Sequence, residues 1–192
     1  MYRTDLGDGL TIGQAMPHEA GEMFQVVEAE RPRLCPWFDW TDATRSIAGA
    51  RAFIQGSLER FGRGEGTDAT IRLDGAFIGN CGIFPASRAG KHEGWEIGYW
   101  LSGAHTGRGY ATRVTAALVD LSFGALDGHR VMLRIATENH ASRAVAQRLG
   151  FVHEGTLREV YAVSAGRQDL EVWGMLSREW PGAAAALSGA AP

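Results

Sequence analysis

One stretch limits the folds open to this 192-residue chain more than any other: GWEIGYWLSGAHTGRGYATRVTAALVDL, Gly94 to Leu121. It opens with Trp95 to Leu101, a run dense in aromatic and aliphatic residues that fits a strand and carries one carboxylate, Glu96, near its start. A polar turn bearing glycines follows, Ser102 to Gly109. Ala111, Val114, Leu118 and Leu121 then fall at spacings of three and four, which places them on one helical face. A strand, a glycine turn and a helix in that order make a ready anion site. The first N–H groups of a helix have no carbonyl partner, and the helix dipole favours negative charge there. Gly107 and Gly109 remove side chains that would hold an anion away, and they permit backbone angles that other residues resist.

Two common phosphate-binding patterns fit poorly. The P-loop, G-x-x-x-x-G-K-[ST], needs a lysine that the turn lacks, and the dinucleotide pattern needs a third glycine where Thr112 stands. The turn matches Q/R-x-x-G-x-G/A instead, as Thr106, Gly107, Arg108, Gly109, Tyr110 and Ala111, with Thr106 in place of Gln or Arg. EIGYWL stands directly before it, and N-H-A-S-R-A-V-A-Q-R-L-G-F, Asn139 to Phe151, follows and leads to Glu154-Gly155. These motifs, in this order and at this spacing, resemble the RimJ/RimL-type branch of the GNAT acetyltransferases. The resemblance runs from about residue 10 to about residue 178 and is strongest from Glu96 to Gly155.

Taken in order, Leu10 to Met16 reads as a strand, and Pro17 starts a helix reaching about Arg31, with Glu19 and Glu22 near its positive end. Arg31 to Trp40 reads as a proline-broken segment dense in aromatics. Thr41 or Asp42 caps a second helix through Ile47, Ala50, Ile54 and Leu58, which the glycines at 62, 64 and 66 end. Thr67 to Leu73 and Phe77 to Phe84 form a hairpin about Asp74-Gly75. Ser87 to Glu93 is a polar loop, and Gly128 breaks the helix that follows the glycine turn. Val131 to Ala136 is a strand and Ala141 to Leu149 a short helix. Leu157 to Val163 and Asp169 to Leu176 are two last strands turning at Ala165-Gly166. The expected class is α/β (α+β): a mixed, mostly antiparallel twisted sheet of six to seven strands with helices on both faces. Residues 1–180 form one domain, and the low-complexity tail 181–192 is expected to be disordered. The resemblance adds a splay between the two central strands, those of Glu96 and of Val131 to Ala136, where the pantetheine arm of a cofactor pairs with strand backbone.

The resemblance implies acetyl transfer from acetyl-CoA to an amine. The acceptor is a protein N-terminal α-amine, that of a ribosomal protein included, or alternatively a small amine such as an amino acid, polyamine or antibiotic. A CoA-binding sensor without catalysis is a third reading. Cofactor binding falls to Gly107, Arg108, Gly109, Tyr110, Ala111 and Thr112, with Thr106 at the departed position. Arg113 and Arg143 could add charge, although either could equally be a solvated helix-face residue. Glu96 occupies the position of a base, acting directly or through water; flanked by Trp95, Ile97, Tyr99 and Trp100 it should be partly desolvated, with its pKa raised. It could equally be a structural carboxylate bonding a neighbouring strand, and Glu93 is a weaker candidate. The backbone of Trp100 or Leu101 would meet the oxyanion. Ser142 would assist the thiolate and Asn139 hold the pantetheine, though both residues also suit N-capping. Tyr161 stands where some relatives carry a carboxylate, as a proton donor or groove wall. Trp37, Phe38 and Trp40 are an acceptor wall or simply aromatics buried under a loop.

The remaining bounds are negative. A net charge of −3 implies no pull toward nucleic acid or anionic lipid. No apolar run approaches a membrane span, and the N-terminus does not read as a signal peptide, so a cytoplasmic protein is expected. Cys35 and Cys81 should be reduced thiols, and none of His18, His92, His105, His129, His140 or His153 has metal spacing. The last strands are natural edges, which favours a homodimer.

Overall fold

A computed structural model describes residues 3–86, 94–164 and 166–189. The elements run β1 (Arg3–Asp5), β2 (Leu10–Gln14), α1 (Ala20–Leu34), α2 (Ile47–Gly62), β3 (Thr67–Leu73), β4 (Ala76–Pro85), β5 (Gly94–Leu101), α3 (Tyr110–Phe123), β6 (Arg130–Ala136), α4 (His140–Arg148), β7 (Val152–Val163), β8 (Gly166–Leu176) and α5 (Ala183–Gly189). The strands form one mixed sheet in the order β1-β2-β3-β4-β5-β6-β8-β7. By packing, the chain groups into two compact units. One takes in 1–82, 99–108 and 162–166, and the other takes in 83–98, 109–161 and 167–192.

The sheet has eight strands where six to seven were expected. β1 escaped notice because three residues, Arg-Thr-Asp, show no alternation. The turn after it is built on Gly7, Asp8 and Gly9, which all have positive φ, and Leu6 N–H reaches Leu10 O at 2.8 Å. The Asp74-Gly75 hairpin forms as expected, with φ of 49° and 85°, the pair of positive values that a tight two-residue turn needs.

Several boundaries differ from expectation, among them the starts of β7 at Val152 rather than Leu157 and of β8 at Gly166 rather than Asp169. α1 continues through Pro32 to Leu34, because a proline in the last turn removes one bond only, and Cys35 N–H still reaches Arg31 O at 2.9 Å. Ser46, rather than Thr41 or Asp42, caps α2, its Oγ accepting from Gly49 N–H at 3.0 Å; residues 39–42 form a short 3-10 turn instead. α3 ends at Phe123 with Gly124, not at Gly128. Gly128 serves close packing, since a Cβ there would stand 2.6 Å from Trp95 Cδ1. The tail expected to be disordered folds over Ala183–Gly189 as α5, where alanine has the strongest helix propensity. Asp120 Oδ1 on α3 accepts from Trp180 Nε1 at 2.6 Å and from Ala183 N–H at 3.0 Å. The expected loop 87–93, with Glu93, lies outside the described residues, as do Ala165 and residues 190–192.

In the first unit α1 and α2 bury Met23, Val27, Leu34, Ala50 and Ile54 with Phe77 and Trp100. Arg72, itself buried, binds Glu19 at 2.8 Å, Glu22 at 2.7 Å and Gly75 O at 2.6 Å. The bond from Arg72 lowers the Glu22 carboxyl below its usual range, despite the opposing effect of burial. In the second unit β6 buries alternate residues, Val131, Leu133 and Ile135, while α3 buries Val114, Leu118 and Val119. Across β6, β8 and β7, Arg130 reaches over Gly174 to Glu154, with Nη1 to Oε1 at 2.5 Å. A Cβ at Gly174 would stand 2.4 Å from Glu154 Oε1, so glycine is what lets the pair cross β8. The Arg130 hydrogen bond lowers the Glu154 carboxyl.

Arg72→Met should strip two carboxylates, one of them buried, of their cation and destabilise the protein by about 3–5 kcal/mol in urea titration. The lowered Glu154 pKa means its pair contributes fully above the ordinary Glu value of 4.5 and is lost as pH falls through the folded value. Wild type should therefore lose more thermal stability than Glu154→Gln between about pH 4.5 and pH 3. Gly174→Ala should behave like Glu154→Gln in that window and cost about 1–3 kcal/mol besides.

Candidate active site

β5 and β6 are parallel, and among the described residues they pair at Gly94↔Arg130, Trp95↔Val131 and Glu96↔Met132 only. β5 runs on to Leu101 and β6 to Ala136. This is the expected splay, and Glu96 stands at its last paired position. The Glu96 side chain is partly buried, with 22% exposed, and its Oε1 accepts from Arg134 Nε at 2.8 Å. Arg134 lies two residues beyond Met132 on the adjacent strand, so the contact bonds a neighbouring strand.

The glycine turn starts where β5 ends. Ser102 N–H donates to Ile78 O at 2.7 Å, and Ser102 Oγ and His105 Nδ1 lie 2.7 Å apart. His105 therefore has a local structural partner. Thr106 Oγ donates back to Gly103 O at 2.8 Å, a use of the departed position that closes the turn on itself. Gly107 has φ 71° and Gly109 φ 80°, and a Cβ on either would meet nothing within 4 Å. Glycine is thus required there by backbone angle, and the space beside it is open. Gly109 is the N-cap of α3 and provides no side-chain cap. The first helical bond is Arg113 N–H to Gly109 O at 3.0 Å, which leaves the N–H groups of Tyr110, Ala111 and Thr112 without helical acceptors. Arg108 is exposed. Thr112 is buried and its hydroxyl accepts from Arg148 at 3.3 Å, so that side chain links α3 to α4 and does not face the open space.

At α4, Asn139 Oδ1 accepts from Ser142 N–H at 3.1 Å, the capping bond. Ser142 is half-buried in the first turn. Arg143 is engaged elsewhere: its guanidinium pairs with Glu171 at 2.9 Å and also donates to Thr137 O. Those bonds run through Nε and Nη2 and tie α4 to β8. Tyr161 is half-buried on β7. Glu159, two residues before it, has φ 49°, and its N–H donates to Asp169 Oδ1 at 2.7 Å.

The aromatic segment packs inward more than a bare groove wall would. Phe38 and Trp40 lie 5.5 Å apart, and Trp40 lies 6.0 Å from Phe53 and 5.9 Å from Trp100, which itself meets Phe77 edge-on at 5.8 Å. The Trp100 side chain is therefore core, and only its backbone is available to a ligand. Phe38 and Trp40 rest on the same core while staying half-exposed, as does Trp37.

Sequence reasoning missed Glu30 and Arg33 on α1. Glu30 Oε1 accepts from Gly103 N–H at 2.9 Å, Arg33 Nε meets Glu30 Oε2 at 2.7 Å, and Arg33 also donates to Leu101 O. Burial alone would raise the Glu30 carboxyl, but the bonds from Arg33 and Gly103, with His105 nearby, bring it below the usual range. Their i,i+3 spacing on α1 was visible, but nothing in it pointed to a turn some 70 residues away.

A mixed sheet with an interrupted parallel pair, followed by a glycine turn that opens an uncapped helix, defines an acetyltransferase fold. The chain matches the acetyltransferase (GNAT) domain over residues 10–152, and it belongs to that family of N-acetyltransferases. It is 27% identical to YdaF of Bacillus subtilis (strain 168), provisionally named a ribosomal N-acetyltransferase, over 95% of this chain and 99% of that one. It is 22% identical to the ribosomal-protein-serine acetyltransferase of Escherichia coli (strain K12), over 88% and 93%. The RimJ structure from Mycobacterium smegmatis, in complex with CoA-disulfide, superposes with a TM-score of 0.86 at 27% identity over 94% and 88%. Among the described residues no helix is long and apolar enough to cross a membrane, and no group of three or more His, Cys, Asp or Glu is placed to hold a metal.

Asn139→Ala should cost about 1 kcal/mol through loss of the cap, and Asn139→Ser should restore most of it in thermal melts.

Proposed function

We propose that this chain transfers the acetyl group of acetyl-CoA to the α-amine of a protein N-terminus, a ribosomal protein being the leading acceptor. The observation that carries the reading is the uncapped start of α3. Three N–H groups without helical acceptors and a helix dipole stand next to Gly107 and Gly109, where a side chain's place is open, and this suits the pyrophosphate of CoA. That RimJ binds CoA and that the curated relatives are named for ribosomal proteins supports the donor and the acceptor in turn.

The amine must lose a proton before it attacks the thioester carbonyl. Glu96 takes that proton, directly or through a water, with Arg134 orienting the carboxylate through Oε1. The backbone N–H of Trp100 or Leu101 stabilises the oxyanion. The C–S bond then breaks and the thiolate takes a proton, with Ser142 as donor and Tyr161 as the other candidate. Asn139 uses Oδ1 in its cap and keeps Nδ2 for the pantetheine arm. Phe38, Trp40 and Trp37 line the acceptor side. We propose residues 1–180 as one catalytic domain, working in the cytoplasm as a homodimer. The exposed Val152, Leu157 and Val160 on terminal strand β7 support association.

Calorimetry should show acetyl-CoA binding at micromolar Kd, about −8 kcal/mol, and no NADH binding. The absence of acetyl-CoA binding would sink the reading. N-terminal peptides should then be acetylated faster than spermidine or free amino acids. Glu96→Gln should lower kcat by about 10²–10⁴ with little change in the KM for acetyl-CoA.

A further inference from the structure

Glu30 and Arg33 belong to α1, which supplies none of the acetyl-transfer groups described above. They lie one turn apart, and both reach the same short piece of backbone. Arg33 donates to the carbonyl of Leu101, the last residue of β5, and Glu30 accepts from the N–H of Gly103, two residues on. Arg33 Nε binds Glu30 Oε2 at 2.7 Å, so the two grips form one unit. Between them Ser102 N–H is taken by Ile78 O. Three consecutive backbone sites at the exit of β5 are thus fixed from outside the turn. A Cβ on Gly103 would stand 3.4 Å from Arg33 Nε and 3.5 Å from Glu30 Oε2, so the backbone is drawn close against the pair. Beyond this point the turn holds itself, by Thr106 to Gly103 O, and Gly107 and Gly109 follow with open space beside them.

A surface ion pair on a helix contributes little to stability. This one also places a further donor, Arg33 Nη2, and a further acceptor, Glu30 Oε1, on backbone, where charge-assisted bonds are stronger and directional. A loop that must present N–H groups to an anion gains affinity when it is ordered before the anion arrives. The turn's own glycines work against that order, because they leave the unbound backbone many conformations.

We infer that Glu30 and Arg33 are positioning residues for the acyl donor: the pair brackets the exit of β5 and the start of the glycine turn, holding the turn in the conformation that accepts the CoA pyrophosphate. This rests on the acetyl-CoA reading above. The pair touches neither donor nor acceptor and acts through the backbone of Leu101 and Gly103.

The test compares wild type with Glu30→Ala, Arg33→Ala, Arg33→Lys and a control, Glu65→Gln, which breaks an exposed pair with Arg63 on the same helix-to-strand connection. Two readouts are used: amide hydrogen exchange of residues 102–109 without ligand, and acetyl-CoA affinity by calorimetry with KM and kcat where turnover is measurable. Each alanine variant should speed exchange in 102–109 and weaken acetyl-CoA about tenfold, as expected for one lost charge-assisted bond. The KM for acetyl-CoA should rise while kcat and the acceptor KM stay near wild type. Arg33→Lys should fall between, since one ammonium cannot reach Leu101 O and Glu30 together, and Glu65→Gln should match wild type. Unchanged exchange overturns the bracket, and faster exchange with unchanged affinity overturns its role in binding. A wild type that fails to bind acetyl-CoA overturns the acetyl-CoA reading and this role together, whereas binding that ignores all four variants overturns this role alone.

Discussion

β5 keeps its parallel partner for three positions and then continues without it to Leu101. That early parting is the constraint around which the local structure is arranged. A strand that leaves a neighbour exposes backbone groups that need other partners, and its end has fewer bonds to fix it. On the β4 side the approach is close: a Cβ at Gly79 would stand 2.1 Å from Trp100 O and 2.9 Å from Leu101 Cα. Beyond it the exit of β5 is caught by Ile78 O and by the Glu30–Arg33 pair. The Trp100 ring adds a hydrophobic anchor among Trp40 and Phe77. The strand's end is thus held by contacts from β4 and α1 in place of β6.

The same device, a guanidinium shared with a carboxylate, recurs where side chains tie one element to another. Arg72 joins β3 to Glu19 and Glu22, Arg130 joins β6 to β7 over β8, Arg134 joins β6 to β5, and Arg143 joins α4 to β8. Of the 19 Lys and Arg residues only Lys91 is lysine. Arginine stays protonated at any pH a protein survives, so each tie depends on its carboxylate alone. Its planar fork also grips two acceptors at once, which a lysine at Arg72 or Arg33 would not do.

The fold was legible where local chemistry dictates it. The Asp74-Gly75 turn, the strand before the glycine turn and the helix after it follow from residue type and period. So do the positive φ values of Gly107 and Gly109. What stayed hidden depends on partners distant in sequence. Nothing near Thr112 says that its hydroxyl will face Arg148, and nothing near Arg143 says that Glu171 will claim it. Glu96 was legible as a carboxylate on a special strand, but its Arg134 partner comes from the register of β6. The short elements β1 and α5 were missed for another reason: each is too short for its pattern to rise above its composition.

Two residues show why a structural contact does not settle a role. Asn139 caps α4 through Oδ1 alone, and an amide carries two further donors on Nδ2. Glu96 is bound by Arg134 through Oε1 alone, and a carboxylate has a second oxygen. In each case the contact fixes the orientation of the group that remains, which is what a reacting or binding side chain needs. Arg143 is a third such case. Its guanidinium meets both Glu171 oxygens and the Thr137 carbonyl through Nε and Nη2, and these bonds leave the two donors of Nη1 out. A side chain can therefore hold an element in place and still keep atoms to offer, as Glu96, Asn139 and Arg143 each do in these contacts.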